Sequence, residues 1–200
     1  MNIAILASGK GTNFEAIVRA VKKGDIRNVQ VKLLVTDREE AFVRKRARRL
    51  KIKEVFIDPS NFSFREDFEK ALVRVLVREK VELVVLAGFM RILSSYFIKK
   101  FKNKILNIHP SLLPAFKGVN AIERAYKYGV KITGVTVHFV DEKVDHGPII
   151  LQGAVKVKPG ESLEEVEKKI HKLEHNLYPQ AIKLLVEKRL KIKGRCVEII

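Results

Sequence analysis

The chain has 200 residues, 46% of them hydrophobic, which is enough for one well-filled domain with room for a second small lobe. Lysine and arginine number 40 against 23 acids, a net charge of +17, and the one cysteine, Cys196, excludes an intrachain disulfide framework and a cysteine-clustered zinc site. No apolar run approaches the roughly 20 residues that span a bilayer, and MNIAIL, with no basic segment ahead of it, reads as a first strand rather than a signal peptide.

NIAIL (2–6) is a strand, followed by a helix from about Asn13 to Lys22. VQVKLLVT (29–36) is a strand, 39–50 an arginine-rich helix, and EVFI (54–57) a short strand closed by Asp58-Pro59. From about Arg65 to Lys80 the apolar residues Phe68, Leu72, Val75 and Leu76 recur at helical spacing. LVVLA (83–87) is wholly apolar, as strands of a parallel sheet covered on both faces are. A short helix at Ser94–Lys100, a strand at 104–108 and a helix at Val119–Tyr128 follow.

The pattern then changes. ITGVTVHFV (132–140) and IILQGAVKV (149–157) are joined by DEKVDHGP with no helix between them, so they are expected to be antiparallel neighbours. A long helix from about Ser162 to Lys188 opens on a capping box, Ser162 with Glu165, and CVEII forms a possible last strand. The expected fold is α/β: a doubly wound, mostly parallel sheet with a Rossmann-like N-terminal half and an antiparallel C-terminal addition.

The charge admits two readings, a polyanionic partner or a solvated basic surface. RKRARRLKIK (44–53) and KRLKIKGR (188–195) alternate bases with apolar residues, as amphipathic helices and edge strands do, and no aromatic residues are interleaved with them. A solvated surface is the better reading, and no nucleic-acid partner is expected. Small anionic substrates would also gain from the positive field. Cysteine usage fits a reducing, cytoplasmic setting, and the Lys/Glu/Arg-rich composition suits a heat-adapted source.

SGKGTN (8–13) places a glycine turn between the first strand and the first helix, where backbone N–H groups and a helix N-terminus converge on an anion. It lacks the Gly-Lys-Ser/Thr of a P-loop, and Phe14 stands where a dinucleotide fingerprint has its third glycine. A single phosphate is therefore expected, with Thr12 and Asn13 as added donors. The plainer alternative is a tight turn in which Thr12 or Asn13 caps the helix.

NIHPSLLP (107–114) closes the fifth strand. Pro110 holds His109 extended and stops the strand there, and Pro114 bars a simple helical continuation. Asn107 and His109 then share one face, with Ile108 on the other. An amide donor beside an acid–base group suits a reaction through a tetrahedral oxyanion. Asp145, ahead of Gly147-Pro148, is the carboxylate expected beside His109, favouring its protonated form. His109 bonded only to a backbone carbonyl is the alternative, and His138, on a strand alternating Val135, Val137 and Phe139, reads as structural.

SGKGTN, VVLAGFMRIL, NIHPSLLP, GVTVHFV with DxGPII, and EHNLYP (174–179) together resemble the phosphoribosylglycinamide formyltransferase family, motifs in order over almost the whole chain. The resemblance implies a single formyltransferase domain, 1–200, with a phosphate-binding half to about 103 and a catalytic, folate-binding half from about 104. It implies formyl transfer from 10-formyltetrahydrofolate, a co-substrate, to the amino group of 5'-phosphoribosylglycinamide, in a cytoplasmic monomer or homodimer without a metal. By position, His109 is the general acid, Asn107 the oxyanion donor, and Asp145 the carboxylate that raises the histidine pKa and orders a proton-relaying water. Gly11, Thr12, Asn13 and Glu174 fall at ribonucleotide positions; Arg65, Met90, Arg91, Ile92, Leu93 and Asn107 fall at folate positions.

Three features depart from the family pattern. Lys117-Gly118 stands where Pro-Gly is common, His146 fills a position that is often small, and a C-terminal extension is missing with little expected consequence. A formyltetrahydrofolate deformylase shares the Asn-His-Asp arrangement but normally carries an N-terminal regulatory domain. A methionyl-tRNA formyltransferase needs a further C-terminal domain. A non-enzymatic basic nucleotide- or RNA-binding module would explain the charge and the glycine turn but not Asn107, His109 and Asp145 at strand ends.

Overall fold

The computed structural model describes all 200 residues, which divide into two compact units, Met1–Leu106 and Asn107–Ile200. The α/β class is as expected, with parallel strands in the first unit and an antiparallel pair in the second.

The first unit contains β1 (Asn2–Leu6), α1 (Thr12–Lys23), β2 (Gln30–Thr36), α2 (Phe42–Arg49), β3 (Glu54–Phe56), α3 (Arg65–Arg78), β4 (Leu83–Leu86) and α4 (Ser95–Lys100). Its strands lie in the order β3-β2-β1-β4, all parallel. The chain winds outward from β1 to β3 and returns to pair β4 on the other side of β1. That reversal makes a topological switch point between β1 and β4, and ligands of open α/β sheets bind beyond the carboxyl ends of strands at such a point. β1 and β4 are apolar on both faces; Ile3, Ile5, Val84 and Val85 are fully buried.

Two details differ from the expected pattern. α2 begins at Phe42, three residues late, because Glu39 and Glu40 form a turn ahead of it. A single 3-10 turn at Pro59–Asn61 follows β3, its Ser60 N–H accepted by the Asp58 carboxylate at 2.9 Å.

β5 (Ile105–His109) starts in the first unit, where the Val84 N–H donates to the Lys104 carbonyl, and ends in the second. The second unit continues with α5 (Ala121–Tyr128), β6 (Ile132–Phe139), β7 (Ile149–Lys156), α6 (Leu163–Val186), β8 (Leu190–Lys193) and β9 (Cys196–Ile199). β6 and β7 pair antiparallel, as the missing helix between them implied. α5 begins two residues later than expected, because Asn120 takes the left-handed conformation ahead of it.

The capping box of α6 is present: Glu165 N–H donates to Ser162 Oγ at 3.3 Å, and Ser162 N–H to Glu165 Oε2 at 2.7 Å. α6 packs on β6 and β7 along a stripe of Val166, Ile170, Leu177, Tyr178, Ala181 and Ile182, in which Glu174 is the one charged side chain. α6 ends at Val186, two residues short of the expected Lys188, and the basic stretch beyond it forms β8 of a hairpin with β9.

Candidate active site

In the first unit the glycine turn is held from both sides. Gly11 occupies the N-cap of α1 at φ 73°, with no side chain bonding the helix end, so neither Thr12 nor Asn13 caps the helix. The first-turn N–H groups and the positive end of the helix dipole therefore face the turn without a side-chain acceptor among them. A Cβ on Gly11 would lie 2.3 Å from Val43 Cγ2 and 2.9 Å from the Val43 Cα, so glycine is required by space as well as by φ.

α2 presses on the turn here: Val43 N–H donates to the Gly9 carbonyl at 3.1 Å and Arg46 Nε to the Lys10 carbonyl at 2.8 Å. Arg46 also pairs with Glu15, which Arg49 reaches at 2.6 Å and Arg19 at 2.7 Å. Burial pushes the Glu15 carboxyl up, but hydrogen bonds from Arg19 and Arg46 and the charges of Arg46 and Arg49 bring it below its ordinary value. Arg44 and Arg48 pair with Glu54 at 2.9 and 2.8 Å. Four arginines of the basic stretch are thus engaged by internal carboxylates.

Ser8 joins the turn to the end of β4. Its N–H donates to the Gly88 carbonyl at 3.0 Å, its Oγ–H to Asp37 Oδ1 at 2.5 Å, and its Oγ accepts from Met90 N–H at 3.0 Å. Arg91 lies 3.9 Å from Asp37 Oδ2 and 4.9 Å over the Phe68 ring. Buried Glu69 accepts from Ser94 N–H at 2.7 Å and from Ser94 Oγ–H. These bonds fix an irregular 87–94 segment that leaves Met90 and Ile92 about 60% exposed, at 60% and 62%, while Leu93 turns into the core. Arg65 is the exposed first residue of α3.

In the second unit, the three side chains expected to meet do so. The Asn107 amide lies 3.4 Å from Asp145 Oδ1, and His109 Nδ1 lies 3.3 Å from Asp145 Oδ2. Asp145 also accepts the Gly118 N–H at 2.8 Å. His138, expected to be structural, joins them: its Nε2 is 3.2 Å from Asn107 Nδ2 and 3.7 Å from Asp145 Oδ1. His138 Nδ1–H donates to the Phe139 carbonyl at 2.7 Å, which leaves Nε2 to accept from Asn107.

The segment behind Pro110 is anchored by β6 and β7. Thr136 Oγ1 donates to the Ser111 carbonyl at 2.7 Å and accepts from Leu113 N–H at 3.0 Å, and Gln152 Nε2 donates to the Leu113 carbonyl at 3.0 Å. The loop then brings the Phe116 carbonyl 2.9 Å from His109 Nε2. The imidazole is therefore held by a backbone carbonyl on one nitrogen and faces a carboxylate on the other.

Charge and burial act on His109 in opposite directions. Burial pushes His109 down, and although Asp145, the Phe116 carbonyl and Glu174 all push it up, the imidazole stays below its ordinary value. Asp145 does raise the histidine pKa, as expected, and desolvation by burial is the larger effect. The carboxyl of Asp145 is itself pushed up by burial and brought below its ordinary value by His138, the Gly118 N–H and His109. Glu174 is buried on α6 and bonded by His171 Nδ1 at 2.9 Å.

A family profile described as "Formyl transferase" matches residues 1–182. Phosphoribosylglycinamide formyltransferase of Bacillus subtilis (strain 168) is 44% identical over 183 residues, 92% of this chain and 93% of that protein. The chain belongs to the phosphoribosylglycinamide formyltransferase family. A second member, from Haemophilus influenzae, is 41% identical over 96% of this chain and 90% of its own length. The crystal structure of glycinamide ribonucleotide transformylase 1 from Symbiobacterium toebii superposes with a TM-score of 0.97 at 44% identity, covering 100% of this chain and 94% of that one.

In this phosphoribosylglycinamide formyltransferase family member, each unit carries candidate residues of its own. Gly11, Thr12, Asn13, Arg65 and Met90–Leu93 lie in the first, and Asn107, His109, Asp145 and Glu174 in the second. Sequence reasoning missed Ser8, the hub between the turn and the β4 end, and undervalued His138. The signal for His138 was present: Thr136 and His138, two polar residues, share one face of β6. Ser8 carried no such signal, since its partners Asp37 and Met90 are far off in sequence.

Proposed function

We propose that the chain transfers the formyl group of 10-formyltetrahydrofolate to the amino group of 5'-phosphoribosylglycinamide, in the cytoplasm, for purine biosynthesis. The N-cap glycine turn, residues 9–13, would take the single phosphate, with Gly11, Thr12 and Asn13 donating. The exposed Met90 and Ile92, with Arg91 and the irregular backbone to Leu93, offer apolar surface and main-chain groups to a flat heterocycle. Arg65 would meet the folate acid tail, and Glu174 the ribose hydroxyls. The functional boundary falls near 103, with phosphate binding before it and catalysis after it. A reading in which the basic surface binds nucleic acid has less support, because arginines 44, 46, 48 and 49 are paired internally.

The chemistry is a proton inventory. The attacking amine loses one proton, the formyl carbon becomes tetrahedral with an oxyanion, and the bond to the leaving nitrogen breaks as that nitrogen gains one proton. A neutral His109 suits this sequence: it accepts the proton from the amine and returns it to the leaving nitrogen. With the ring's one proton on Nδ1, toward Asp145, Nε2 is the atom that exchanges the amine's proton once released from the Phe116 carbonyl. Asp145 on Nδ1 stabilises the imidazolium between the two transfers, and Asn107, oriented by His138, donates to the oxyanion.

The meeting of Asn107, His109 and Asp145 is the observation that supports this reading most. The test is to incubate the protein with formylated folate, with and without the ribonucleotide, and follow folate release and formylated product. Release that requires the ribonucleotide and matches product one for one is expected. Release that ignores the ribonucleotide would make the protein a hydrolase and overturn the proposal.

A further inference from the structure

The loop that carries Asp145 is held from a place the family chemistry does not use. Residues 140–148 connect β6 to β7 and are closed at the base, where Phe139 N–H donates to the Pro148 carbonyl at 2.9 Å. Gly147 sits so close to β6 that a Cβ there would lie 1.9 Å from the Phe139 carbonyl oxygen. Asp145 itself is left-handed, at φ 46°, a conformation that is strained for a non-glycine residue. It persists only where neighbours hold it, and neighbours on both sides of the loop do.

On the inner side Asp145 is held by Gly118 N–H and the residues of the catalytic cluster. On the outer side the holding residue is His146. His146 Nδ1–H donates to Asp141 Oδ2 at 2.7 Å, and Asp141 Oδ1 accepts Lys143 N–H at 3.0 Å, folding the loop on itself. His146 is then gripped twice by Arg195, at the turn between β8 and β9. One guanidinium nitrogen donates to the His146 carbonyl at 2.7 Å, and the other lies against the ring, 2.9 Å from Nε2 and 3.2 Å from Nδ1. The imidazole that departs from the usual small residue is thus the handle by which the C-terminal hairpin holds the loop.

We propose that Arg195 is a positioning residue for catalysis: by clamping the carbonyl and ring of His146, the hairpin fixes the backbone one residue from Asp145. The Asp145 carboxylate is then presented to His109 and Asn107 in one orientation. The hairpin is itself braced beside β7, and Arg189 ties its two ends through the Ile200 carbonyl, Nε to oxygen at 2.9 Å. This inference rests on the reading of Asp145 as the catalytic carboxylate. It gives the C-terminal hairpin a role in turnover that the sequence did not suggest.

The test is a double-mutant cycle on the full chain, with Arg195→Ala, Asp145→Asn and the pair. Arg195→Ala is expected to lower kcat about tenfold, with each substrate's KM within about threefold, as a slight misplacement of a catalytic group does. In the Asp145→Asn background the same change is expected to cost less than about twofold, because there is no carboxylate left to position. Arg195→Lys, which can still reach the carbonyl, is expected to restore part of kcat. Far-ultraviolet circular dichroism and thermal unfolding of each variant separate loss of position from loss of fold.

An unchanged kcat in Arg195→Ala, or an equal loss in both backgrounds, overturns the proposal. If instead Asp145→Asn alone retains full turnover, the reading of Asp145 fails and takes this inference with it. A loss of kcat in Asp145→Asn beside an indifferent Arg195→Ala refutes the positioning role alone.

Discussion

The two units build their candidate residues' surroundings from different materials. In the first, backbone supplies the means: an uncapped helix end, a glycine turn and an irregular segment after β4, held by Ser8, Arg46 and Glu69 from behind. In the second, side chains supply them: an amide and two imidazoles gathered around one carboxylate, at 3.3 to 3.7 Å from it. A backbone site should be sensitive to shape and tolerant of side-chain truncation; a side-chain site should be the reverse. The comparison can be broken by finding either unit behaving like the other.

The largest effect belongs to the second unit. Asp145→Asn is expected to lower kcat about 100-fold or more, within the span general acid–base groups contribute, while ribonucleotide affinity holds within about threefold. Steady-state kinetics and calorimetric titration check the two halves of that statement. Next comes Gly11→Ala in the first unit. Added to the unfavourable φ, the overlap with Val43 is expected to cost about 2–4 kcal/mol of stability, read by urea unfolding, and to weaken the ribonucleotide more than the folate. Smallest is Thr12→Ala, which removes one donor among several. It is expected to raise the ribonucleotide KM about three- to tenfold with kcat unchanged; a loss of kcat would mean that the first unit also works through side chains.

The pH profile sharpens the same contrast. His109 is the titrating group, and burial holds its pKa below the ordinary 6.5. If the neutral ring is the working form, kcat/KM rises with pH through a midpoint below 6.5 and is flat from there to about pH 8. The stability term has the matching sign. A histidine whose folded pKa is depressed binds its proton more readily when unfolded, so it costs stability as pH falls below 6.5. Asp145 is the opposite case: its depressed carboxyl contributes stability above its unfolded value, near 4, that is lost as pH falls through the folded one. His109→Asn should therefore flatten the stability loss between pH 6.5 and 5 and leave the loss at lower pH in place. An activity midpoint above 6.5 would mean that the imidazolium is the resting form.

Much of this was legible in the residues. The unbroken apolar runs of β1 and β4 announced strands covered on both faces, and Pro110 marked the end of β5 at His109. Ser162 with Glu165 marked the start of α6 to the residue. What escaped reading lay where local pattern is ambiguous or a contact is distant. LKIK alternates as well in a helix terminus as in an edge strand, and only pairing with β9 decides between them. Glu39-Glu40 looks like the acidic first turn of a helix, but α2 begins beyond it. The sequence put Asp145 next to His109 and gave the sign of its effect, but burial, which acts the other way and more strongly, is not legible in local pattern. Neither Ser8 nor Arg195 could be read, because their partners lie 29 and 49 residues away.

The central claim is that a side-chain cluster in the second unit moves the proton of formyl transfer. It is tested most directly by single-turnover formyl transfer in His109→Ala with both substrates saturating, beside ribonucleotide binding on the same protein. The account expects the transfer rate to fall at least about 100-fold with ribonucleotide affinity nearly unchanged. A transfer rate within about twofold of the parent chain would contradict it.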